Sequence, residues 1–208
     1  MSRSAPVRAI RRRLLRLPVA IGVATIIESI HAVAQPAGPA TVKIGVIGSG
    51  HIGGTVGGLW IRAGHPVFFS SRHPEELTDL VAGLGPLAQA GSVANAIAFG
   101  DAIFVAVPYA ALPEIGRDFG GALHGRIVLD ACNAIPARDG TISNEVEKNG
   151  IGVTSQKYLA GTRLVRAFNT LSYMILAREA NRRAPRLAIP MAGDDPEAGH
   201  AGNGSGIA

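Results

Sequence analysis

Gly48-Ser49-Gly50-His51-Ile52-Gly53 places glycine at the first, third and sixth positions of a six-residue run. A β-branched stretch, 41–47, precedes it, and 55–63 follows with apolar residues at helical spacing. In that strand–turn–helix context the pattern suits the diphosphate of a dinucleotide. Gly48 permits the tight turn, Gly50 lets a phosphate approach the main chain, and Gly53 lets helix and strand pack closely. The start of the helix adds unpaired N–H groups and the positive end of its dipole. The competing account is a structural turn without a ligand, in a chain that holds 27 glycines.

The end of the second strand bears on which dinucleotide. An NAD site normally carries Asp or Glu about 20 residues past the glycines, where it binds the ribose hydroxyls. Here the sequence reads Phe69-Ser70-Ser71-Arg72-His73, with no acid until Glu75. The hydroxyls of Ser70 and Ser71 and the guanidinium fork of Arg72 suit a phosphate, which a carboxylate would repel. These residues favour NADP(H) over NAD. The alternative is a solvated turn, and His73 reads as a surface histidine.

Little else has the spacing of a reactive site. Cys132 is the single cysteine, which excludes an internal disulfide. It stands just past a strand with no partner arguable from sequence, and reads as a packing residue. The six histidines form no H-x-x-x-H or H-E-x-x-H pair, so no metal site is expected. Asp194-Asp195 resembles a metal-binding pair but more naturally caps a helix begun by Pro196-Glu197. No catalytic nucleophile, acid or base is assigned.

The elements that must position these residues alternate. Strands are expected at 41–47, 66–70, 102–107, 126–130, 163–168 and 187–191. Helices are expected at 55–63, from Pro74, at 92–98 and at 113–119. Apolar strands between helices mean a parallel sheet covered on both faces, so the fold class is a doubly wound, three-layer α/β Rossmann fold. A length of 208 residues suits one such domain, assigned to 41–198.

The chain is strongly basic, with a pI near 10.0, but unevenly so. Six of the 20 basic residues and one of the 15 acidic ones fall within 1–34, which leaves the rest formally neutral. A nucleic-acid partner, which needs a basic face on the folded body, is therefore not expected. Arg3 to Arg16, the eleven uncharged residues Leu17–Ile27 and Ala32-Val33-Ala34 make a signal peptide over 1–34. Its apolar run is shorter than the about 20 residues of a membrane span. Arg11-Arg12-Arg13-Leu14-Leu15-Arg16 follows the twin-arginine pattern, although Ile10 stands where Ser or Thr is usual. A Sec signal, an uncleaved anchor and a nuclear-type basic cluster are the alternatives. A periplasmic or secreted protein is expected, with 35–40 as a linker and the glycine-rich 199–208 as a disordered tail.

The run 43–54, with Ala63-Gly64-His65 and Ser70-Ser71-Arg72, resembles the coenzyme F-420-dependent NADP oxidoreductase family. Val105-Ala106-Val107-Pro108, 128–133, 165–170 and 192–195 are similar to its later blocks, so the resemblance covers roughly 42–196. The 165–170 block is also similar to the flavin-reducing domain of the related metalloreductases. The resemblance implies that Val107, Pro108, Asn133, Ala167 and Asn169 line the ribose and nicotinamide region. It implies hydride transfer between NADP(H) and a small-molecule redox acceptor, coenzyme F-420 or a flavin, and a homodimer. Such transfer needs two rings held face to face and no side-chain nucleophile. Two departures stand out: Glu76 where the family often has a basic residue, and a chain that reads as C-terminally truncated. The truncation keeps a second reading open, an NADP(H)-binding or sensor domain without turnover. An imine or pyrroline-carboxylate reductase is a more distant one, since it would need a further helical domain.

Overall fold

The computed structural model describes residues 41–198. The leader, linker and tail read at 1–34, 35–40 and 199–208 lie outside the described residues.

Six strands form one sheet: β1 (Ile44–Ile47), β2 (Val67–Ser70), β3 (Ala88–Gly91), β4 (Ala102–Val105), β5 (Ile127–Asp130) and β6 (Arg163–Arg166). Their order is β3-β2-β1-β4-β5-β6, and every neighbouring pair is parallel. Between them lie α1 (His51–Arg62), α2 (Thr78–Leu84), α3 (Val93–Phe99), α4 (Leu112–Leu123), α5 (Pro136–Asp139), α6 (Ile142–Asn149) and α7 (Ile151–Tyr158), with α8 (Tyr173–Glu179) after β6. This is the doubly wound α/β fold expected from the alternating pattern.

The strands read as continuous apolar runs because both faces are covered. Val46, Phe104, Leu129 and Val165 face one way, toward Val56 and Trp60 of α1 and Leu176 of α8. Ile47, Ile103, Val105, Val128 and Leu164 face the other way, toward Ile97 of α3 and Leu112 and Ile115 of α4. Local signals place the helix ends. Ser92 Oγ accepts from Asn95 N–H to cap α3, and Ser172 Oγ accepts from Ile175 N–H to cap α8. After Pro74 the chain first makes a 3-10 turn, Pro74–Leu77, and only then α2.

Three differences from the sequence reading have physical reasons. Ala88–Gly91 is an edge strand with no β-branched residue, so nothing in its composition marks it. β4 and β6 end two residues early: Ala106 N–H and Ala167 N–H still donate to Ile47 O and Asp130 O, and the chain leaves the sheet after them. Residues 187–191 form no strand. Pro190 lacks a donor, and just beyond the segment Ala192 makes an isolated antiparallel bridge with Arg166. Leu187, Ile189 and Met191 pack in part on the first core instead.

Where α4 crosses α7, a Cβ on Gly116 would stand 1.8 Å from the Tyr158 carbonyl oxygen. Because that obstacle is backbone, Gly116→Ala should lower the unfolding free energy by about 1–3 kcal/mol. Urea denaturation with an unchanged m-value checks this, and an unaltered midpoint would contradict it.

Candidate functional site

In an all-parallel sheet every strand ends on the same edge, and at β1 the order reverses, so the flanking connections part toward opposite faces. A crevice opens there. Gly48 leaves β1 at φ 96°, and a Cβ on it would lie 2.5 Å from the Ala106 carbonyl oxygen and 2.6 Å from Val107 Cγ1. Only glycine fits between the loops that follow β1 and β4. A Cβ on Gly53 would stand 1.9 Å from the Gly48 carbonyl oxygen, so helix and turn touch there. Gly50 differs, since a Cβ on it would meet nothing within 4 Å. The main chain at Gly50 borders open space.

The start of α1 faces that space. No side chain caps it, and no acid lies in its first turn. The first intrahelical bond runs from Gly54 N–H to Gly50 O at 2.8 Å, which leaves the N–H groups of His51, Ile52 and Gly53 without an i−4 partner. Ile52 is half-buried against the first core, and the exposed His51 stacks on Tyr173 with ring centroids 4.5 Å apart. The turn is tied to β2: Ser70 O accepts from Gly48 N–H at 3.1 Å and from Ser49 Oγ at 3.0 Å.

The residues after β2 separate. Ser70 is fully buried, and its hydroxyl donates to Val46 O at 2.7 Å, so it braces the strand pair and does not face solvent. Ser71 Oγ accepts from His73 N–H at 2.8 Å, which leaves its own proton to donate. Arg72 is exposed and has no hydrogen-bond or ion-pair partner among the described residues. Glu76 is exposed as well.

The other expected site residues gather on the same edge. Val107 overhangs Gly48, and Pro108 is exposed beside it. Asn133 follows β5 and is exposed; its Nδ2 donates to Asn169 O at 2.7 Å, joining the loops after β5 and β6. Ala167 is buried, and Phe168 follows it at φ 62°, a left-handed conformation that costs a bulky side chain about 1–3 kcal/mol. Edge-on packing against Trp60 and Phe104, each with centroids 5.7 Å from Phe168, holds it in place.

The sequence reading missed the polar groups that hold these loops. Arg166 forms a buried ion pair with Asp130, and its Nη2 donates to Cys132 O at 2.8 Å. Asp130 Oδ1 accepts from Cys132 N–H at 2.8 Å. Carboxylate and guanidinium therefore grip the peptide groups on either side of Cys132, just before Asn133. Ser155 accepts from Arg166 at 3.2 Å and pairs with the Tyr109 hydroxyl at 3.0 Å, and burial pushes that phenol up. Burial, then the nearby Asp130 carboxylate, pushes the Cys132 thiol well up, which suits a packing residue and not a thiolate.

Asp139 ties two more loops. Its carboxylate accepts from Ala110 N–H at 3.2 Å and Ile135 N–H at 2.7 Å, and from Arg138 Nη2 at 2.8 Å. Burial is the largest influence and opposes ionisation, but the Arg138 hydrogen bond and the two peptide N–H bonds together hold the carboxyl below its ordinary range. Further along, Asp195 Oδ1 accepts from Glu197 N–H at 2.9 Å and Ala198 N–H at 3.1 Å, the capping role expected for the acid pair. Its Oδ2 accepts from Arg163 Nε at 2.6 Å, and this bond, then the Ala198 N–H, brings its pKa down to about 2.

A family model described as "NADP oxidoreductase coenzyme F420-dependent" matches residues 43–134. This segment is similar to that family. It spans the glycine turn, the end of β2 and the loop after β5, whereas the resembling blocks at 165–170 and 192–195 lie beyond it. Among solved structures, a candidate F420-dependent NADP reductase from Arthrobacter sp. FB24 is 20% identical, with TM-score 0.67 over 80% of each chain. A hypothetical protein from Sinorhizobium meliloti is 26% identical, with TM-score 0.62 over 78% of each chain. An imine reductase from Pseudomonas sp. is 15% identical with TM-score 0.56; this chain covers 51% of it. No curated protein matches the sequence. The family match ties residues 43–134 to an NADP-linked oxidoreductase family, and the structural neighbours share the fold.

Asp139→Asn should cost about 1–3 kcal/mol of unfolding free energy at neutral pH, since it weakens bonds to buried donors. A carboxyl whose pKa is depressed on folding stabilises above its unfolded value of 3.8 and loses that contribution as pH falls through the folded one. The gap between parent and variant should therefore narrow in acid. Urea midpoints at neutral and acid pH measure it, and a gap that widened in acid would contradict the assignment.

Proposed function

We propose that the chain transfers hydride between NADP(H) and a planar redox ring of the deazaflavin or flavin class, coenzyme F-420 being the family's own acceptor. The observation that carries the reading is the open main chain at Gly50, before an uncapped helix start, with Arg72 free beyond β2. The residues fit the cofactor. The backbone from Gly48 to Gly53 holds the diphosphate through unpaired N–H groups and the helix dipole. Ser71 and Arg72 hold the ribose phosphate by donation and charge. Ser70 takes no part except through the turn it braces, because its hydroxyl already donates to Val46 O.

When bound, the nicotinamide supplies the hydride. The protein's work is to position the rings and exclude water. Val107, Pro108, Asn133 and Asn169 border the nicotinamide half, whereas Ala167 is fully buried and only supports its loop. Asn133 is kept in place by its bond to Asn169 O and by the Asp130–Arg166 grip on Cys132. Neither Cys132 nor any acid described above is asked to exchange a proton. Residues 1–34 are read as an export leader, which places the reaction outside the cytoplasm; N-terminal sequencing of the mature protein should begin at Gln35.

The test is equilibrium binding and anaerobic turnover of the full chain. NADPH should bind at least about tenfold tighter than NADH, and Arg72→Ala should remove most of that preference. NADPH oxidation should follow with coenzyme F-420, FMN or FAD. Equal affinity for the two dinucleotides overturns the ribose-phosphate assignment, and tight NADPH binding without turnover on any of the three overturns the acceptor class.

A further inference from the structure

Away from the crevice, a cavity of about 510 Å3 lies between α1, α8 and the extended segment after α8. That volume falls within the roughly 300–1,000 Å3 of small-molecule sites. Leu59 and Trp60 of α1, Phe168, Leu176 of α8, and Leu187 and Ile189 of the extended segment supply apolar walls. Trp60, Phe168 and Leu176 belong to the buried core, and the edge-on contact between the two aromatic rings fixes the floor. It is a built surface, set by packing that the fold already requires.

The polar part of the lining has one sign. Asn181, Arg182 and Arg186 complete the wall, and among the described residues no carboxylate lines it. Glu179 is the nearest acid along the chain, and it is shared: Arg178 Nε donates to it at 2.6 Å, and Arg182 Nη1 lies 3.7 Å from it. Arg186 has no hydrogen-bond or ion-pair partner among the described residues. Residues 173–189 carry four arginines against that one glutamate. A void kept only by imperfect packing is apolar throughout and stays dry. This one combines an aromatic floor with guanidinium donors whose planar fork matches a carboxylate.

We infer that the cavity is a second ligand site, distinct from the dinucleotide crevice, for an amphipathic carboxylate. Its apolar chain or ring lies on Trp60 and Phe168, and its carboxylate is held by Arg182 and Arg186. Apolar burial supplies the affinity and the two arginines choose the sign of the head group.

Trp60 is the single tryptophan in the chain, so tryptophan emission comes from one residue of this lining. The full chain is titrated, below micelle formation, with decanoate, with 1-decanol and with decyltrimethylammonium. Decanoate should give a saturable change in Trp60 emission, at least about fivefold tighter than the alcohol, and the cation none. The double variant Arg182→Gln/Arg186→Gln should lose the carboxylate's advantage while keeping the parent's urea midpoint. Saturating NADPH should leave the titration in place, and this arm separates the inference from the dinucleotide reading. No saturable response, an equal response to acid and cation, or displacement by NADPH would each overturn it. So would an emission change that follows protein concentration instead of decanoate, which would mean that a second copy of the chain closes the cavity.

Discussion

The parallel pairing of β1 with both β2 and β4 is the constraint on which the site depends. It brings Ser70, Gly48 and Ala106 to one edge, where the chain must leave the sheet in two directions within a few ångströms. A side chain at Gly48 would collide with Ala106 and Val107, so the turn is closed by backbone contact and its geometry does not depend on rotamers. What remains exposed is the start of α1. A helix start with no cap and no acid leaves donors and a positive end directed at whatever lies in the crevice.

The far side of the crevice is held by charge. Arg166 and Asp130 are buried, face each other across the β5–β6 pair, and between them bond both polar groups of Cys132. Removing one partner of such a pair leaves an uncompensated buried charge, at a cost of about 3–5 kcal/mol. The pair thus contributes a fixed direction to the loop carrying Asn133 more than it contributes net stability. Phe168 works in the same sense from below. Its strained backbone turns the loop toward the crevice, while its ring, wedged between Trp60 and Phe104, holds that strain in place.

Much of this was legible in the sequence where the signal is local. The β1–turn–α1 unit is visible because three glycines at set spacing and a change from strand-like to helical periodicity coincide within about twenty residues. Asp195 was readable as a cap from its immediate neighbours, whereas Ser92, read as the first residue of a helix, proves to be its cap. Contacts between distant residues were not. Asp130 and Arg166 are 36 positions apart and meet only because two strands pair in one register. Asp139 joins loops whose proximity follows from strand order. Ala88–Gly91 has the composition of a turn and becomes a strand because β2 offers it a partner. Conversely, 187–191 looks like a strand and is none, since Pro190 interrupts its donors. Ser70 is the instructive case among the site residues: its type and position suit a phosphate, but the neighbouring strand claims its hydroxyl.

Gly50 offers the most direct test of the central claim, because its surroundings distinguish a ligand cradle from a structural turn. Among the described residues nothing beyond its chain neighbours lies within 4 Å of a Cβ built there, and its backbone is extended and not left-handed. Gly50→Val should therefore lower stability by no more than the about 1 kcal/mol of a poorer N-cap residue, read from the urea midpoint, and abolish NADPH binding measured by calorimetry. A variant that folds as the parent does and still binds NADPH with the parent's affinity would contradict the account.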